Sequence, residues 1–450
     1  MHKETHHMPL SSFLIDETIA ENLVGPETKE NRIVRSQLRL SDRWKVLGKT
    51  LGSGIGELSD EFPGIPLTER SCEGYEADVT IRVAWNRDSH LCPCCGHRCR
   101  ILCYESREYR HVDDLGCRCF IHVEVPKYDC AECGSTVQQP FPLAESNVSY
   151  TRPFAIEVVK RLREDTVKAV ADSLATSRDI VGSILRRAIR RALPEQDLSY
   201  VNGVYVDETQ FGSGHDYISV FLDQRHRVIF ACRGHGKDVL EQFRDHLVIQ
   251  GGDPESVRFF SADMSGAYES GIAETFPNAT LVWDRFHLMK SVNEALNDVR
   301  KGVVRRGKDE PLKLIKYTLL LRRSRMRRKH VERLRQIRVS APELALAFDM
   351  KETFAEIIKV PDAEAMERAL RIWAEWVMLD GPEQLKRKAK TFLEKIDHIV
   401  SWATFRVSNS VSEGVNKRIQ DIRRNAYGYR NVQCLFDMIL LRLGDLHLRF

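Results

Sequence analysis

The 450-residue chain reads as an α/β protein: a mixed-sheet domain carrying an all-helical insertion, preceded by a small β-rich module and a compact helical region. Three observations predict this. Between about 200 and 285 apolar, partly β-branched runs alternate with helical periodicity; from about 286 to 400 no strand-like run of any length occurs; and ten of the twelve cysteines crowd between Cys72 and Cys133. With 42% hydrophobic content the chain is long enough for two or three domains, each with its own core. No apolar run approaches the ~18 residues of a membrane span, and the start, Met-His-Lys-Glu-Thr-His-His, lacks a signal peptide's apolar stretch. A soluble, cytoplasmic protein with no membrane partner is expected.

Residues 1–70 form an N-terminal extension that mixes short apolar patches such as Phe13-Leu-Ile with Gly-rich stretches, and no chemistry is assigned to it. Residues 71–147 alternate as β-type runs, Ala77-Asp-Val-Thr-Ile-Arg-Val and Cys119-Phe-Ile-His-Val-Glu-Val, around the cysteines: a zinc-binding module. Cys92-Pro-Cys-Cys95-Gly and Cys130-Ala-Glu-Cys133-Gly are each Cys-x-x-Cys followed by Gly, the form of a zinc knuckle in which glycine lets backbone amides turn toward sulfur. The four thiolates of Cys92, Cys95, Cys130 and Cys133 would close a tetrahedral structural Zn²⁺ site. The 34 intervening residues exceed the commonest spacing, and Cys94, His97 or Cys99 are alternative ligands. Loose thiols or a redox pair are the competing accounts.

Residues 148–195 turn helical. Ala155, Val158, Val159 and Leu162 form one stripe, Val167, Val170, Ala171 and Leu174 another, and Ser177 caps a third, basic helix. Short helix, tight turn and capped helix read as a helix-turn-helix that binds DNA, although Ala175 and Thr176 occupy the turn where glycine is common; a plain helical linker has a similar pattern. Residues 196–290 predict strands at Val204 to Asp207, Tyr217 to Asp223 and Arg227 to Arg233, then a helix from Asp238, a strand ending at Ala262, a helix from Ser265 and a strand ending at Trp283. Hairpins followed by alternating helix and strand give a mixed sheet with a parallel half. Residues 291–400 are the helical insertion, and 401–450 return to the sheet domain. A last apolar helix, expected to run to Leu448, packs on the sheet through Leu435, Met438, Ile439 and Leu443.

Three stretches in the sheet domain carry chemistry: Val204-Tyr-Val-Asp207-Glu, Arg258-Phe-Phe-Ser-Ala-Asp263-Met and Ser408-Asn-Ser-Val-Ser-Glu413-Gly-Val-Asn416. In the first two an apolar run ends in an acid, as when a buried strand emerges at the carboxyl edge of a sheet. The third acid lies near a helix start capped by Ser408 or Asn409, and opens a polar stripe with Asn416, Lys417, Gln420 and Arg424. Strand, strand, helix is the order in which an RNase H-like nuclease carries its metal-holding acids. A phosphodiester is already anionic, so its in-line displacement needs cations to screen the phosphate and activate the attacking oxygen. Two Asp and one Glu, without His or Cys, suit Mg²⁺. Taken singly, an Asp that ends a strand caps a turn and a Glu in a first helical turn complements the dipole; the three together carry the metal reading.

The net charge of +4 hides a division, because Arg300 to Arg338 holds sixteen Lys or Arg against three Asp or Glu. That block is +13 and the rest of the chain −9. A polyanion is drawn to it, with affinity that falls as salt rises. A solvated helical face with Leu319, Leu320 and Leu321 on its buried side is compatible with that reading.

Val206-Asp-Glu, Ala262-Asp-Met-Ser, Phe276-Pro-Asn-Ala, Asp284-Arg-Phe-His287, Ser412-Glu-Gly-Val-Asn416-Lys and Ala426-Tyr-Gly-Tyr-Arg-Asn together resemble the ISL3 family of insertion-sequence transposases. The resemblance covers roughly residues 75 to 450, the paired Cys-x-x-Cys module and the helix-turn-helix included. It implies a DDE transposase with an RNase H-like catalytic core. Asp207, Asp263 and Glu413 would bind two Mg²⁺ or Mn²⁺ ions, cut double-stranded DNA at terminal inverted repeats and join the ends to target DNA, with no covalent protein–DNA link. Synapsis of two ends implies a homo-oligomer, and the working protein is expected at the nucleoid.

Asp284 competes for the middle role, since it too ends a strand. Neighbouring strands lie about 4.8 Å apart, and metals roughly 4 Å apart are easier to share between adjacent strands. Asp263 is therefore assigned, with Asp284, His287, Asn416, Lys417 and Arg424 as supporting or DNA-contacting residues, and Asp223, Glu208 and Glu269 as structural. The main rival reading is a catalytically inactive, transposase-derived DNA-binding protein. A zinc-stabilised RNA-processing nuclease and a zinc oxidoreductase are further alternatives.

Overall fold

The computed structural model describes residues 29–41, 44–53, 77–85, 91–114, 116–211, 217–307, 315–407, 410–429 and 431–450; at 30, 44–53, 77, 114, 307 and 410–413 it describes the backbone alone. The chain divides into two compact units, Met1–Arg191 with Leu448–Phe450, and Ala192–His447.

The first unit is built on a five-stranded sheet of β1 (Trp44–Ser53), β2 (Ala77–Trp85), β3 (Arg100–Asp114), β4 (Cys117–Cys130) and β5 (Ser135–Gln138), in the order β1-β2-β4-β3 with β5 on β4. Alternate residues Val79, Ile81 and Val83 of β2 and Cys119, Ile121 and Val123 of β4 are buried, the period of two that a one-faced sheet requires. The module therefore begins well before residue 71. A strand at 44–53 was not legible because Gly48 and Gly52 interrupt its pattern, and the register slips between Val46 and Gly48. A short helix, α1 (Lys29–Gln37), precedes it.

Helices α2 (Arg152–Leu162), α3 (Val167–Ser173) and α4 (Arg178–Ala192) follow. Each start is capped: Thr151 accepts from Phe154 N–H, Thr166 from Ala169 N–H and Ser177 from Ile180 N–H. Val158, Leu162, Val170, Leu174, Val181 and Leu185 are buried. In the turn between α3 and α4, Ala175 takes the left-handed conformation, φ +43, that glycine adopts without strain. The buried Arg110 guanidinium donates to the carbonyls of Cys119 and Leu174, tying that turn to the sheet.

The second unit holds a sheet in the order β10-β9-β6-β7-β8. β6 (Gly203–Gln210), β7 (Tyr217–Asp223) and β8 (Val228–Arg233) form an antiparallel meander. Helix α5 (Lys237–Ile249) returns the chain to β9 (Phe259–Ala262), and α6 (Gly266–Thr275) to β10 (Thr280–Trp283), both strands parallel to β6. The mixed sheet has the expected parallel half.

Among the described residues seven α-helices follow: α7 (Arg285–Gly307), α8 (Lys316–Leu320), α9 (Arg328–Ser340), α10 (Pro342–Ile357), α11 (Ala363–Asp380), α12 (Glu383–Glu394) and α13 (Ile396–Phe405). They share one continuous core with the sheet, running from Val204, Phe260 and Trp283 through Leu288 and Val292 to Phe354, Trp373 and Phe392. The boundaries expected at 290/291 and 400/401 fall inside α7 and α13. Sequence periodicity marks where strands stop; it does not reveal that the first helix is continuous with the strand's own core. Within the block Leu319 is buried, whereas Leu320 is 41% exposed. The fully buried Lys351 donates to the carbonyls of Leu319 and Leu321 and pairs with Glu352 at 2.7 Å.

Helix α14 (Ser410–Asn425) returns to β6, and α15 (Val432–Leu443) packs on β8 with Leu435, Met438, Ile439 and Leu443 buried. That last helix stops at Gly444, five residues short of expectation, where the Gly444 N–H closes on Leu440 O at 3.0 Å. No helix among the described residues is long and apolar enough to cross a membrane.

Candidate active site

Strand register builds the acid cluster. Gly203 of β6 pairs with Phe259 of β9, which pairs with Thr280 of β10, and each pairing advances in step along parallel strands. Continued upward, the same register sets Asp207, Asp263 and Asp284 side by side on three adjacent strands. β6 itself does not end at Asp207, as the sequence pattern implied: its partner β7 carries the pairing on to Gln210, opposite Tyr217. Asp207 thus lies inside β6, at a level where the neighbouring β9 has already ended at Ala262.

The three carboxylates differ in burial. Asp263 is the open one, its side chain 52% exposed, with Oδ1 accepting from Met264 N–H at 2.6 Å. Asp284 is 6% exposed and caps α7, Oδ1 accepting from Phe286 N–H at 2.8 Å. One turn into α7, His287 Nδ1 lies 3.1 Å from Asp284 Oδ2 and 3.9 Å from Asp263 Oδ1. Burial opposes charging of His287, but the Asp284 carboxylate, with Asp263 and Asp207 beyond it, holds its pKa above the ordinary value. Burial also pushes Asp207 up to about 6, Asp284 and Asp263 adding repulsion that His287 and the Glu208 N–H only partly offset. These carboxylates form an electronegative cluster whose described counter-charges are the His287 imidazole and the Arg285 guanidinium, which acts on Asp284.

Helix α14 is fastened along β6 at two points. Asn416 donates from Nδ2 to Asp207 Oδ2, and two turns later the Arg423 guanidinium donates to the carbonyls of Gln210 and Phe211, lying 5.3 Å from the Phe211 ring. Arg423 was missed in the sequence; its seven-residue spacing from Asn416, two helical turns on one face, was the available signal. Arg424 instead pairs with Asp421 and is exposed, as is Lys417. Glu413 stands on α14 three residues before Asn416, and its side chain lies outside the described residues, as do Ser408 and Asn409. Three further acids serve the fold. Asp223 binds Arg227 and Tyr200, Glu269 pairs with Lys395 and His398, and Glu208 lies close enough to help keep the buried Tyr268 phenol above its ordinary pKa, after burial itself.

In the first unit the four expected thiols meet. The sulfurs of Cys92, Cys95, Cys130 and Cys133 all lie within 4.8 Å of one another, with Cys92 to Cys133 at 3.8 Å and Cys95 to Cys130 at 3.5 Å. A tetrahedral zinc with Zn–S bonds of about 2.3 Å requires sulfurs about 3.8 Å apart, so this donor set fits. Gly96 (φ +76) and Gly134 (φ +62) take left-handed turns after each pair, and the Cys95 amide leads the interactions that hold the Cys92 thiol down at about 6. Cys94, Cys99 and His97 stand outside the four-residue cluster.

The sequence comparisons bear directly on this arrangement of a mixed sheet, acids at adjacent strand ends and a helical block. The transposase family of the ISL3 DDE type matches residues 204–439, and the chain belongs to that family. Similar curated proteins include the transposase for insertion sequence element IS1001 of Bordetella parapertussis, 25% identical over 356 residues, covering 77% of this chain and 87% of that one. The transposase for insertion sequence element IS1557 of Mycobacterium tuberculosis is 24% identical over 373 residues, 75% of this chain and 82% of its own length.

Proposed function

We propose that this transposase is a DDE enzyme that cuts DNA at the terminal inverted repeats of an insertion sequence and transfers the ends to target DNA, with Asp207, Asp263 and Glu413 as the acids that hold two divalent cations. The single observation that supports the reading is the parallel register of β6 and β9, which, continued past Tyr205 and Ser261, sets Asp207 level with Asp263, in a sheet order that fits the expected RNase H-like core. The burial-raised Asp207 carboxyl beside two further acids is a site short of positive charge, which a Mg²⁺ or Mn²⁺ pair would supply while activating the attacking oxygen and screening the leaving one.

The chain's own residues have separable tasks. Asn416 donates to one oxygen of Asp207 and the Glu208 N–H to the other, which orients the carboxylate and leaves its remaining lone pairs for metal. Asp284, buried and capping α7, aligns His287 and contributes negative field without the exposure of a ligand. Arg423 holds α14 in register with β6, which keeps Glu413 one turn from the Asp207 contact. The four-thiolate cluster is assigned a structural Zn²⁺, and α2 to α4 a helix-turn-helix that reads the repeat. A basic stretch leading into α9, with Arg325, Arg327, Arg328, Lys329 and Arg333 outside any ion pair among the described residues, adds phosphate contact. Complete acids favour the active enzyme over an inactive DNA-binding derivative.

The test is cleavage of a labelled DNA end in Mg²⁺ or Mn²⁺. The wild-type chain is expected to cut and Asp207→Asn to bind without cutting. A chain that binds DNA and cuts under no divalent ion supports the inactive derivative instead.

A further inference from the structure

Tyr427 is the most exposed large apolar side chain among the described residues, at 99%. It follows α14 in a turn closed by two backbone bonds, Gly428 N–H to Arg423 O and Tyr427 N–H to Arg424 O, each 3.0 Å. That pair of bonds is the Schellman helix ending, and the residue in the place of Tyr427 must be left-handed; it is usually glycine. Tyr427 has φ +53, and the glycine, Gly428 at φ +98, stands one position late for the role. A Cβ in that conformation is strained. The second tyrosine of the motif, Tyr429, buries its ring, so there the fold gains what it spends on an aromatic. Tyr427 has no ring contact or side-chain hydrogen bond among the described residues. Nothing among the described residues offsets that strain, which directs attention to a partner.

Its surroundings indicate what that is. The described side chains of α14 include Lys417, Arg418, Arg423 and Arg424 against Asp421 alone, so the ring stands at the end of a cationic helix. Asn425, Gly428 and Arg424 beside it are exposed and polar, so there is no contiguous apolar patch for a protein partner. A nucleobase needs only one flat face and brings phosphates for the cations. The helix is fastened to β6 at Asn416 and Arg423, which fixes the turn relative to the strand that carries Asp207.

We infer that Tyr427 stacks on an unpaired nucleobase of the DNA end on which the acids act. The inference rests on the transposase reading and deepens it by assigning a residue that holds the end open.

The experiment uses the full chain carrying Asp207→Asn, so that binding is read without cleavage. Two probes of arbitrary sequence are compared, a duplex with a mismatched, frayed end of about four nucleotides and a fully paired hairpin with no free end. Tyr427→Gly is expected to weaken binding to the frayed probe roughly five- to a hundredfold, the range of one lost stacking contact, and Tyr427→Phe to leave it unchanged. Binding to the closed hairpin should stay constant in all variants. Tyr427→Gly should also raise the Tm by about 1–3 °C, because strain is relieved. A 2-aminopurine in the frayed segment should be quenched by the wild type and not by Tyr427→Gly. Frayed-end affinity unchanged in Tyr427→Gly, or lost equally in Tyr427→Phe, overturns this assignment while the transposase reading stands. A chain that binds neither probe sinks both.

Discussion

The thiolate cluster and the acid cluster, as proposed cation sites, are opposite solutions to the same problem. Four sulfurs come from two local pairs, each turned by its own glycine, and they meet at tetrahedral spacing. The acids proposed to hold metal come from separate strand ends and a helix, and the three aspartates Asp207, Asp263 and Asp284 repel one another; Asp207 is held near 6 and His287 is drawn toward its charged form. On the proposed assignments, a closed site of local motifs serves folding, whereas an open site assembled across more than 200 residues, from Asp207 to Glu413, serves chemistry that must admit a substrate.

The comparison breaks most visibly at the thiolates. Cys130→Ser, or prolonged chelation, is expected to release one zinc per chain and to cost several kcal/mol, unfolding the sheet of the first unit. A zinc-sensitive dye and circular dichroism report the two events. A folded variant with no zinc to lose would remove the contrast.

At the acids the expected effect is on rate rather than on folding. Glu413→Gln and Asp207→Asn should each reduce DNA-end cleavage on the order of a thousandfold, while Asp284→Asn reduces it roughly ten- to a hundredfold, as for a group that acts through a neighbour. Equal losses for Asp284→Asn and Asp207→Asn, with Asp263→Asn mild, would exchange the roles of the two strand-end aspartates.

Without metal the acid cluster should also oppose stability. An acid raised to about 6 by burial and like charge binds its proton more tightly in the folded than in the unfolded state. Its contribution is therefore favourable at low pH and is lost as pH rises from about 4 through 6, amounting to about 3 kcal/mol at neutrality. Thermal melts of the metal-free chain should find Asp207→Asn more stable than wild type at pH 7.5 and equal to it near pH 4. Millimolar Mn²⁺ should close the gap by stabilising wild type alone. A less stable Asp207→Asn at pH 7.5 would mean that the Asn416 hydrogen bond outweighs the repulsion.

The smallest effect lies in the turn between α3 and α4. Ala175→Gly relieves a left-handed alanine and should stabilise the first unit by about 0.5–1 kcal/mol, read as a shift of its denaturant midpoint. A loss of stability would show that the unfolded-state entropy of glycine prevails.

Legibility followed the same division between local and assembled features. The knuckle cysteines, the capped helix at Ser177 and the strands ending near Ala262 and Trp283 were readable because each is encoded within a few residues. The register that aligns Asp207 with Asp263 was anticipated only as a strand order, since pairing between distant segments leaves no trace in either one. The run of β6 past Asp207, the joining of β1 to the first sheet and the shared core of α7 all depend on partners elsewhere in the chain. Arg423 escaped notice beside Arg424 because their types are identical, and only helical phase separates the one that meets β6 from the one that faces solvent.

The most direct test of the central claim is a crystal structure of the Mn²⁺-soaked chain on a DNA end, with anomalous scattering to locate the ions. The account predicts peaks within about 2.2 Å of oxygens from Asp207, Asp263 and Glu413, with Asp284 beyond coordination reach. Manganese seated between Asp207 and Asp284, with Glu413 turned away, would contradict it.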